Sequence, residues 1–162
     1  MVDENDRSRV MKIDIKSKYP FPAGTLSNFT AFSFTVDGVE CASMEGFLQS
    51  LKTTDVAEQS RVCRLTGKEA KEYFAESPCN GQWKRTGFLH WQGKRVWRYG
   101  KSYRKLLNRA YDALFQNEEF RKALAATGDA KLDHSIGKYF RCTTVLTRKE
   151  FIGQLYRLRK QL

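Results

Sequence analysis

Features that mark membrane, secreted and metal-binding proteins are scarce in this sequence. Among its 162 residues, no apolar run is long enough to cross a bilayer. Residues 1–9 are polar and charged, which is not the pattern of a secretory signal. The four cysteines show no Cys-x-x-Cys spacing and only two histidines accompany them, so no metal site is predicted. These absences predict a reduced, cytoplasmic protein without a metal or a cofactor.

The sequence also lacks internal repeats, low-complexity segments and a glycine-rich phosphate loop of the usual kind. With 41% hydrophobic and 29% charged residues, its composition is typical of a soluble globular protein. The length suffices for one domain with one core. We therefore predict a loose N-terminal leader over residues 1–11 and a single domain over residues 12–162.

Basic residues outnumber acidic residues in this chain. Lys and Arg total 29 against 18 Asp and Glu, which gives a formal net charge of +11. Such an excess favours anionic partners: nucleic acids, nucleotides or phosphorylated metabolites. Simple solubility is the alternative, and the even spread of basic residues along the chain locates no groove.

A polar stripe beside an apolar one runs through residues 43–52. Ser43 can cap a helix. In that helix Glu45, Gln49 and Lys52 fall at i, i+4 and i+7, on one face. The apolar residues of the adjacent face, which can pack on a core, are Phe47, Leu48 and Leu51. This pattern predicts either a site on a rigid element or a solvated, salt-bridged helix face.

The remaining elements follow from periodicity, turns and caps. Strands are predicted over residues 12–16, 31–36, 39–41, 88–91 and 95–97, with hairpin turns at Asp37-Gly38 and Gln92-Gly93-Lys94. Further helices are predicted over residues 55 to about 67, 68–74, 102–115, 117–128 and from 147 onward. Residues 77–81 and 137–142 are predicted as loops, and residues 130–136 are ambiguous. The pattern predicts one α+β domain, mostly helical, with a small antiparallel sheet.

Several short motifs follow one another along the chain. They are Leu26-Ser27-Asn28-Phe29, the Asp37-Gly38 hairpin, the S-x-E-x-x-x-Q-x-x-K run of residues 43–52, Ala113–Asn117, Leu124–Asp129 and Leu155-x-x-Leu158-Arg159. In this order and spacing they resemble the YbiA-like family, also called NADAR, from about Ile13 to the C-terminus. The resemblance implies a YbiA-like fold.

The chain departs from that family before its last helix. Many members have a tryptophan- and glycine-rich stretch and a Gly-Lys-Asn-x-Leu-Gly run there. This chain has Leu132–Lys138 and Val145-Leu146-Thr147 instead, and Trp91–Lys94 is also unlike the common pattern. It resembles a variant branch, so the choice of substrate does not carry over directly.

The resemblance implies binding of ADP-ribose or related nucleotides and hydrolysis of N-glycosidic bonds. One associated substrate class is ADP-ribose on guanine bases of nucleic acid. The other is a phosphorylated ribosylamino-pyrimidine intermediate of riboflavin synthesis. We take the first as the principal expectation and the second as its alternative.

Breaking a ribose C1–N bond passes through an oxocarbenium-like state, which a nearby carboxylate stabilises. Glu45, the acid of the family motif, is the first candidate, although a first-turn acid also suits a helix dipole. Asp129 is a second candidate or a turn residue. His134 is a candidate general acid or a structural residue. A lysine could instead attack the opened sugar, and Lys18, with Lys16, is a weakly supported candidate.

Other side chains are candidates for holding the substrate. Asn28 suits ribose hydroxyls or a base edge, and Lys52 suits a phosphate or a carboxylate. Trp91 is the first candidate to stack on a flat base, with Trp97 and Tyr99 as rivals. The remaining candidates, carried by the motifs or by a loop position, are Ser27, Phe29, Gln49 and Lys138.

Three classes of function remain open from the sequence. The first is an N-glycosidase that removes ADP-ribose from nucleobases or cleaves a related N-riboside. The second is a reader that binds ADP-ribose or NAD without turnover. The third is a basic module that binds nucleic acid and performs no nucleotide chemistry. Water attack and a lysine adduct also remain open for the enzyme.

Overall fold

The computed structural model describes residues 10–162, and most of the predicted leader lies outside this part. In chain order the elements are β1 (Lys12–Asp14), β2 (Phe34–Val36), β3 (Val39–Cys41), α1 (Met44–Ser50), α2 (Val56–Cys63), α3 (Gly67–Glu72), α4 (Pro78–Thr86), β4 (Phe88–Trp91), β5 (Lys94–Trp97), α5 (Lys101–Leu114), α6 (Glu118–Ala126), β6 (Lys131–Asp133) and α7 (Arg148–Arg159). This mostly helical α+β fold confirms the predicted class.

Helix α1 lies at the centre of the packing, against α2, α3, β3 and α5. Ser43 caps it as predicted: its Oγ accepts the N–H of Gly46 at 3.0 Å and donates to the carbonyl of Leu65 at 2.8 Å. A Cβ on Gly46 would lie 2.6 Å from that Leu65 carbonyl oxygen. Gly46 therefore lets the chain that follows α2 pack directly on α1.

Both predicted hairpins form. Asp37 and Gly38 have φ of 48° and 79°, the left-handed conformation that a two-residue hairpin turn requires. Strands β2 and β3 pair antiparallel on either side of this turn, and β4 and β5 pair antiparallel around Gln92-Gly93. The two hairpins are tied together because Trp91 Nε1 donates to Asp37 Oδ2 at 2.9 Å.

A third strand pair joins the start of the described chain to the segment between α6 and α7. Strand β1 pairs in parallel with β6, in the register Ile13 to Leu132. Residues 130–136 were ambiguous from sequence because a three-residue strand shows little periodicity. The pairing brings the backbone of Ile15 against Asp133, with N–H to O at 2.8 Å, and so positions the segment that follows β6.

The predicted loop over residues 77–81 was wrong, because α4 begins there. Ser77 Oγ accepts the N–H of Cys79 at 3.2 Å, and Pro78 occupies the first helical position, where its missing N–H costs nothing. The helix ends at Gly87, whose φ is 76°. Similarly, α2 ends at Cys63, and Gly67 begins α3 rather than ending α2.

The core is one continuous cluster contributed by α1, α5, α7 and the hairpins. The capping box at Thr147 forms as predicted and starts α7. Glu150 of that box also accepts two hydrogen bonds from the buried Arg98, at 3.1 and 2.7 Å, while Arg98 Nε donates to the carbonyl of Thr144.

Within residues 10–162, no helix combines the length and the apolarity that a membrane span requires.

Candidate active site

A cavity of about 530 Å³ opens beside α1. Helix α1 forms one wall, α4 a second, and the segment after β6 a third. Among the side chains that line it are Ser27, Asn28, Phe29, Glu45, Gln49, Lys52, Lys71, Asn80, Trp83, Lys84, His134 and Lys138. The volume lies within the range of roughly 300–1,000 Å³ typical of small-ligand sites.

Glu45 is the acid on the α1 wall. Its Oε1 accepts a hydrogen bond from Gln49 Nε2 at 2.9 Å, one helical turn along the same face. Burial raises the pKa of Glu45, while the Gln49 bond and the charges of Lys52, Lys71 and His134 act in the opposite direction. The result is a desolvated carboxyl group, better suited to accept a proton near neutral pH than an exposed glutamate.

Asn28 lies in the loop that precedes β2 and is locked to the core. Tyr111 donates from its hydroxyl to Asn28 Oδ1 at 2.9 Å, and the carbonyl of Asn28 accepts the N–H of Glu45 at 3.0 Å. Burial raises the pKa of Tyr111 well above its usual value, so the phenol keeps the proton that it donates. With Oδ1 engaged, the Asn28 amide nitrogen is the group that can donate to a ligand.

Positive charge surrounds the carboxylate. Lys52 Nζ donates to Asn80 Oδ1 at 3.0 Å, which joins the end of α1 to α4. Burial, with the charges of Lys84 and Lys138, lowers the pKa of Lys52 to about 8. The cavity thus gathers the ammonium groups of Lys52, Lys71, Lys84 and Lys138 around Glu45.

His134 is held in one orientation. Its Nδ1 lies 2.7 Å from the carbonyl oxygen of Ile15, which can only accept, so Nδ1 carries the proton. The ring packs edge-on against Phe151, with 5.1 Å between centroids. A Cβ on Gly137 would lie 2.7 Å from His134 Cδ2, so glycine makes room for the ring. Nε2 is left as the atom that can exchange a proton with a ligand.

Two buried polar atoms of the cavity walls have no hydrogen-bond partner within residues 10–162: Gln49 Oε1, an acceptor, and Trp83 Nε1, a donor. A buried polar group without a partner costs roughly 1–3 kcal/mol. A water or a ligand in the cavity can supply the missing partner. These atoms add one acceptor and one donor to the site's chemistry.

The structure brings most of the predicted site residues to this cavity: Ser27, Asn28, Phe29, Glu45, Gln49, Lys52, His134 and Lys138. Their placement together follows from the helical stripe of α1 and from the β1–β6 pair, which sets His134 beside Ile15. The chemical role of each stays a prediction.

The remaining predicted residues do not reach the cavity. Asp129 is exposed beyond the left-handed Gly128 that ends α6, and Lys18 is exposed in the turn after β1. Trp91 is buried in the core, packed edge-on against Phe47 at 5.1 Å, so neither face of its indole is open to a base. The structure therefore does not bring Asp129, Lys18 or Trp91 to this cavity, contrary to their predicted placement in one site.

Sequence reasoning missed the contribution of α4, which supplies Asn80, Trp83 and Lys84. Trp83 is the tryptophan that lines the cavity, whereas Trp91, Trp97 and Tyr99 are not among its lining residues. The start signal Ser77-Pro78 and the stop signal Gly87 were present in the sequence and would have found this helix.

Comparisons with known proteins agree with the motifs. The profile of the family described as bacteriophage protein GP30.3 matches residues 20–160. The chain is 36% identical, over 153 residues, to the 17.1 kDa protein in the Gp30-rIII intergenic region of Enterobacteria phage T4, covering 93% of this chain and 99% of that protein. It is also similar to the NMR structure of the E. coli protein YbiA, with a TM-score of 0.61 and 19% identity over 94% of this chain and 85% of that one. The chain belongs to the bacteriophage protein GP30.3 family, and it has the YbiA-like fold that its motifs predicted.

Proposed function

We propose that the protein is an N-glycosidase that hydrolyses a ribose C1–N bond and removes ADP-ribose from guanine bases of nucleic acid. The observation that carries the proposal is Glu45: a desolvated carboxyl group on a rigid helix, inside a nucleotide-sized cavity and surrounded by lysines. The YbiA-like fold is compatible with a hydrolase.

Glu45 would act at C1. As the C1–N bond lengthens, positive charge develops on C1 and the ring oxygen, and a carboxylate beside them lowers the barrier. The same carboxylate can take a proton from the attacking water, a task that its raised pKa favours. Gln49 holds Glu45 in place through the 2.9 Å hydrogen bond.

The lysines would hold the anionic part of the substrate. ADP-ribose carries two phosphates between its riboses, and four ammonium groups suit that pyrophosphate better than the single phosphate of a ribosylamino-pyrimidine. Gln49 Oε1 and Trp83 Nε1 lack protein partners within residues 10–162, which suits contacts to ribose hydroxyls or a base edge. In its imidazolium form His134 would donate its Nε2 proton to the departing base and regain one from solvent, while Glu45 would release to solvent the proton taken from water.

A covalent route through Lys52 is the mechanistic alternative. Its pKa of about 8 leaves a fraction of the amine neutral near pH 7. A neutral amine could attack C1 of the opened sugar, expel the base amine and form an imine that water then hydrolyses. Reduction of the reaction mixture with borohydride would trap this imine as a stable adduct on Lys52, whereas water attack leaves no adduct.

The test is release of ADP-ribose from guanine-ADP-ribosylated DNA, followed by mass spectrometry. We expect turnover by the unsubstituted protein and a loss of at least about 100-fold in Glu45→Gln, the size of a general-base contribution. Asp129→Asn is the matched control, because this acid is exposed and lies away from the cavity. Full activity of Glu45→Gln would refute the assignment.

Absence of turnover by the unsubstituted protein would exclude this substrate. The same assay on a phosphorylated ribosylamino-pyrimidine then tests the alternative N-riboside. A rise in Tm with free ADP-ribose, without turnover of either substrate, would identify a reader. Strong binding to unmodified DNA with no response to ADP-ribose would identify a nucleic-acid module.

A further inference from the structure

A loop at the mouth of the cavity exposes adjacent aromatic rings. We call residues 136–142 the rim loop. Tyr139 and Phe140 are each 70% exposed, and Ile136 is 65% exposed. Single exposed apolar residues are ordinary on protein surfaces, but three within five residues form a patch that needs an explanation. The rim loop reaches the cavity at Ile136 and Lys138, and Thr143 beyond it also lines the wall.

The rim loop is held in place by hydrogen bonds. The N–H of Gly137 donates to the carbonyl of His134 at 2.9 Å, and that of Thr143 donates to Phe140 at 3.0 Å. Arg148 fixes its centre, donating from its backbone N–H to the carbonyl of Lys138 at 2.9 Å and from Nη1 to the Tyr139 hydroxyl at 2.6 Å. The rings are therefore presented on an ordered backbone, which reduces the entropy cost of binding a partner.

The rim loop and its flanking residues carry charge of one sign, while Asp14 and Asp133 at its base are paired with Lys16 and Arg148. Residues 134–144 contain Lys138 and Arg141 and no Asp or Glu. Arg141 lies over the ring of Tyr99, at 5.2 Å from its centroid, which extends the aromatic and cationic surface toward β5. Exposed rings interleaved with cations match the two parts of a nucleic-acid strand: bases that stack and phosphates that repel each other.

We propose that the rim loop binds single-stranded nucleic acid and holds the strand beside the cavity. Bases of a duplex are stacked on each other and cannot lie against Tyr139 and Phe140, whereas unpaired bases can. A modified base can likewise enter a cavity only after it leaves the stack. The proposal rests on the proposed function for the modified nucleotide, but the surface itself is testable with an unmodified strand.

The test is fluorescence anisotropy with an unmodified single-stranded DNA of about 12 nucleotides, a length in the range of single-strand sites, at low salt. We expect Phe140→Ala to weaken binding at least about fivefold, the low end of a lost stacking contact. Phe140→Trp retains a stacking face and is expected to bind at least as well as the unsubstituted protein. Phe140→Leu keeps apolar surface without a ring and is expected to behave like the alanine variant.

Phe21→Ala is the control, since Phe21 is 62% exposed but is not among the residues that line the cavity. Equal weakening in this control, or unchanged binding by Phe140→Ala, overturns the proposal. Equally strong binding of a duplex of the same length overturns the preference for single strands. A Tm measured for each variant separates loss of binding from loss of folding.

Two further outcomes point elsewhere. If Phe140→Leu binds phosphatidylserine vesicles and the unsubstituted protein does not bind the DNA, the rim loop is a membrane contact and the proposal fails. If the single strand binds through the rim loop but no ADP-ribose is released from modified DNA, the surface stands and the proposed glycosidase function fails. The experiment thus distinguishes the two failures.

Discussion

At the scale of single residues, Glu45 links function to stability. Burial raises the pKa of Glu45, so the folded protein favours its protonated form. The free energy of unfolding therefore falls as the pH rises from 4.5, the usual pKa of a glutamate, through the raised pKa. We predict that Glu45→Gln raises the Tm at pH 7 to 8 by roughly 2–4 °C, which corresponds to a gain of about 1 kcal/mol in the free energy of unfolding. The same substitution is expected to abolish activity.

The measurement is thermal unfolding of Glu45→Gln and of the unsubstituted protein between pH 4 and pH 8. The difference in Tm is expected to vanish near pH 4, where Glu45 is protonated in both folded and unfolded states. Asp129→Asn, which removes an exposed acid, is expected to have nearly the same Tm as the unsubstituted protein at every pH in this range. A lower Tm for Glu45→Gln at pH 8 would contradict the account.

Lys52 gives a second prediction, on pH dependence. As a cation that holds a phosphate, it loses its charge as the pH rises through about 8. We therefore predict that the KM for the nucleotide substrate increases above pH 8, with little change in kcat. In Lys52→Arg the guanidinium stays charged, so the KM is expected to stay low at pH 9. Lys52→Met is expected to show a KM about tenfold higher at pH 7.

Steady-state kinetics of these variants from pH 6 to pH 9.5 also separates the two roles considered for Lys52. An amine nucleophile would make kcat rise toward pH 8, and Lys52→Arg would then be inactive. That result, together with a borohydride-trapped adduct, would replace the phosphate-binding role by covalent catalysis.

Three of the predicted residues that line the cavity have a helical period to constrain them. Glu45, Gln49 and Lys52 share a face because residues three and four apart in a helix are neighbours. Trp91 could not be placed in the same way. Whether an aromatic residue of a short strand packs in a core or faces a ligand depends on tertiary partners, here Phe47 and Asp37.

At the scale of elements, α4 shows why a local pattern can mislead. Asn80 and Gly81 are weak helix formers, and Pro78 breaks most helices, so this stretch favours a loop by composition. Its helix is stabilised instead by capping at Ser77 and by the buried Trp83. Its capping residues, rather than the helix propensity of the stretch between them, therefore indicate the second wall of the site.

The segment before α7 depends on one buried ion pair. Arg98 donates to both Glu150 oxygens and to the carbonyl of Thr144, so it anchors the stretch that lines the cavity from Thr143 to Leu146. We predict that Arg98→Met costs about 3–5 kcal/mol of unfolding free energy, because it leaves Glu150 without its partner. Chemical denaturation measures this cost.

The double variant Arg98→Met with Glu150→Leu is the control. It removes both charges and is expected to be less destabilised than Arg98→Met alone. Burial opposes ionisation of Glu150, but its hydrogen bonds from Arg98 and Thr147 hold its pKa below the usual 4.5. The stability from this pair is therefore present above pH 4.5 and lost as the pH falls through the lowered pKa. A double variant as unstable as the single one would show that packing, not charge, holds the segment.

At the scale of the whole molecule, the site is assembled from distant parts of the chain. The loop carrying Asn28, helix α1, helix α4 and the segment after β6 meet only because α1 is central and β1 pairs with β6. The motifs indicated the first two parts, and His134 was a candidate from the segment that departs from the family pattern. They could not indicate how these parts meet, since a pairing between residues 12–14 and 131–133 leaves no local pattern.

The net charge of +11 leads to a prediction for the whole molecule. If the cavity lysines and the rim loop contact phosphates of a strand, kcat/KM on modified single-stranded DNA falls steeply with salt, because binding releases counterions. For three to five such contacts, the slope of log kcat/KM against log salt is about −2 to −4. Free ADP-ribose, with two phosphates, is expected to show a shallower dependence of its Kd, and kcat is expected to change little. Equal slopes for the strand and the free nucleotide would mean that the charge outside the cavity does not contact the polymer, and that only the modified nucleotide is held.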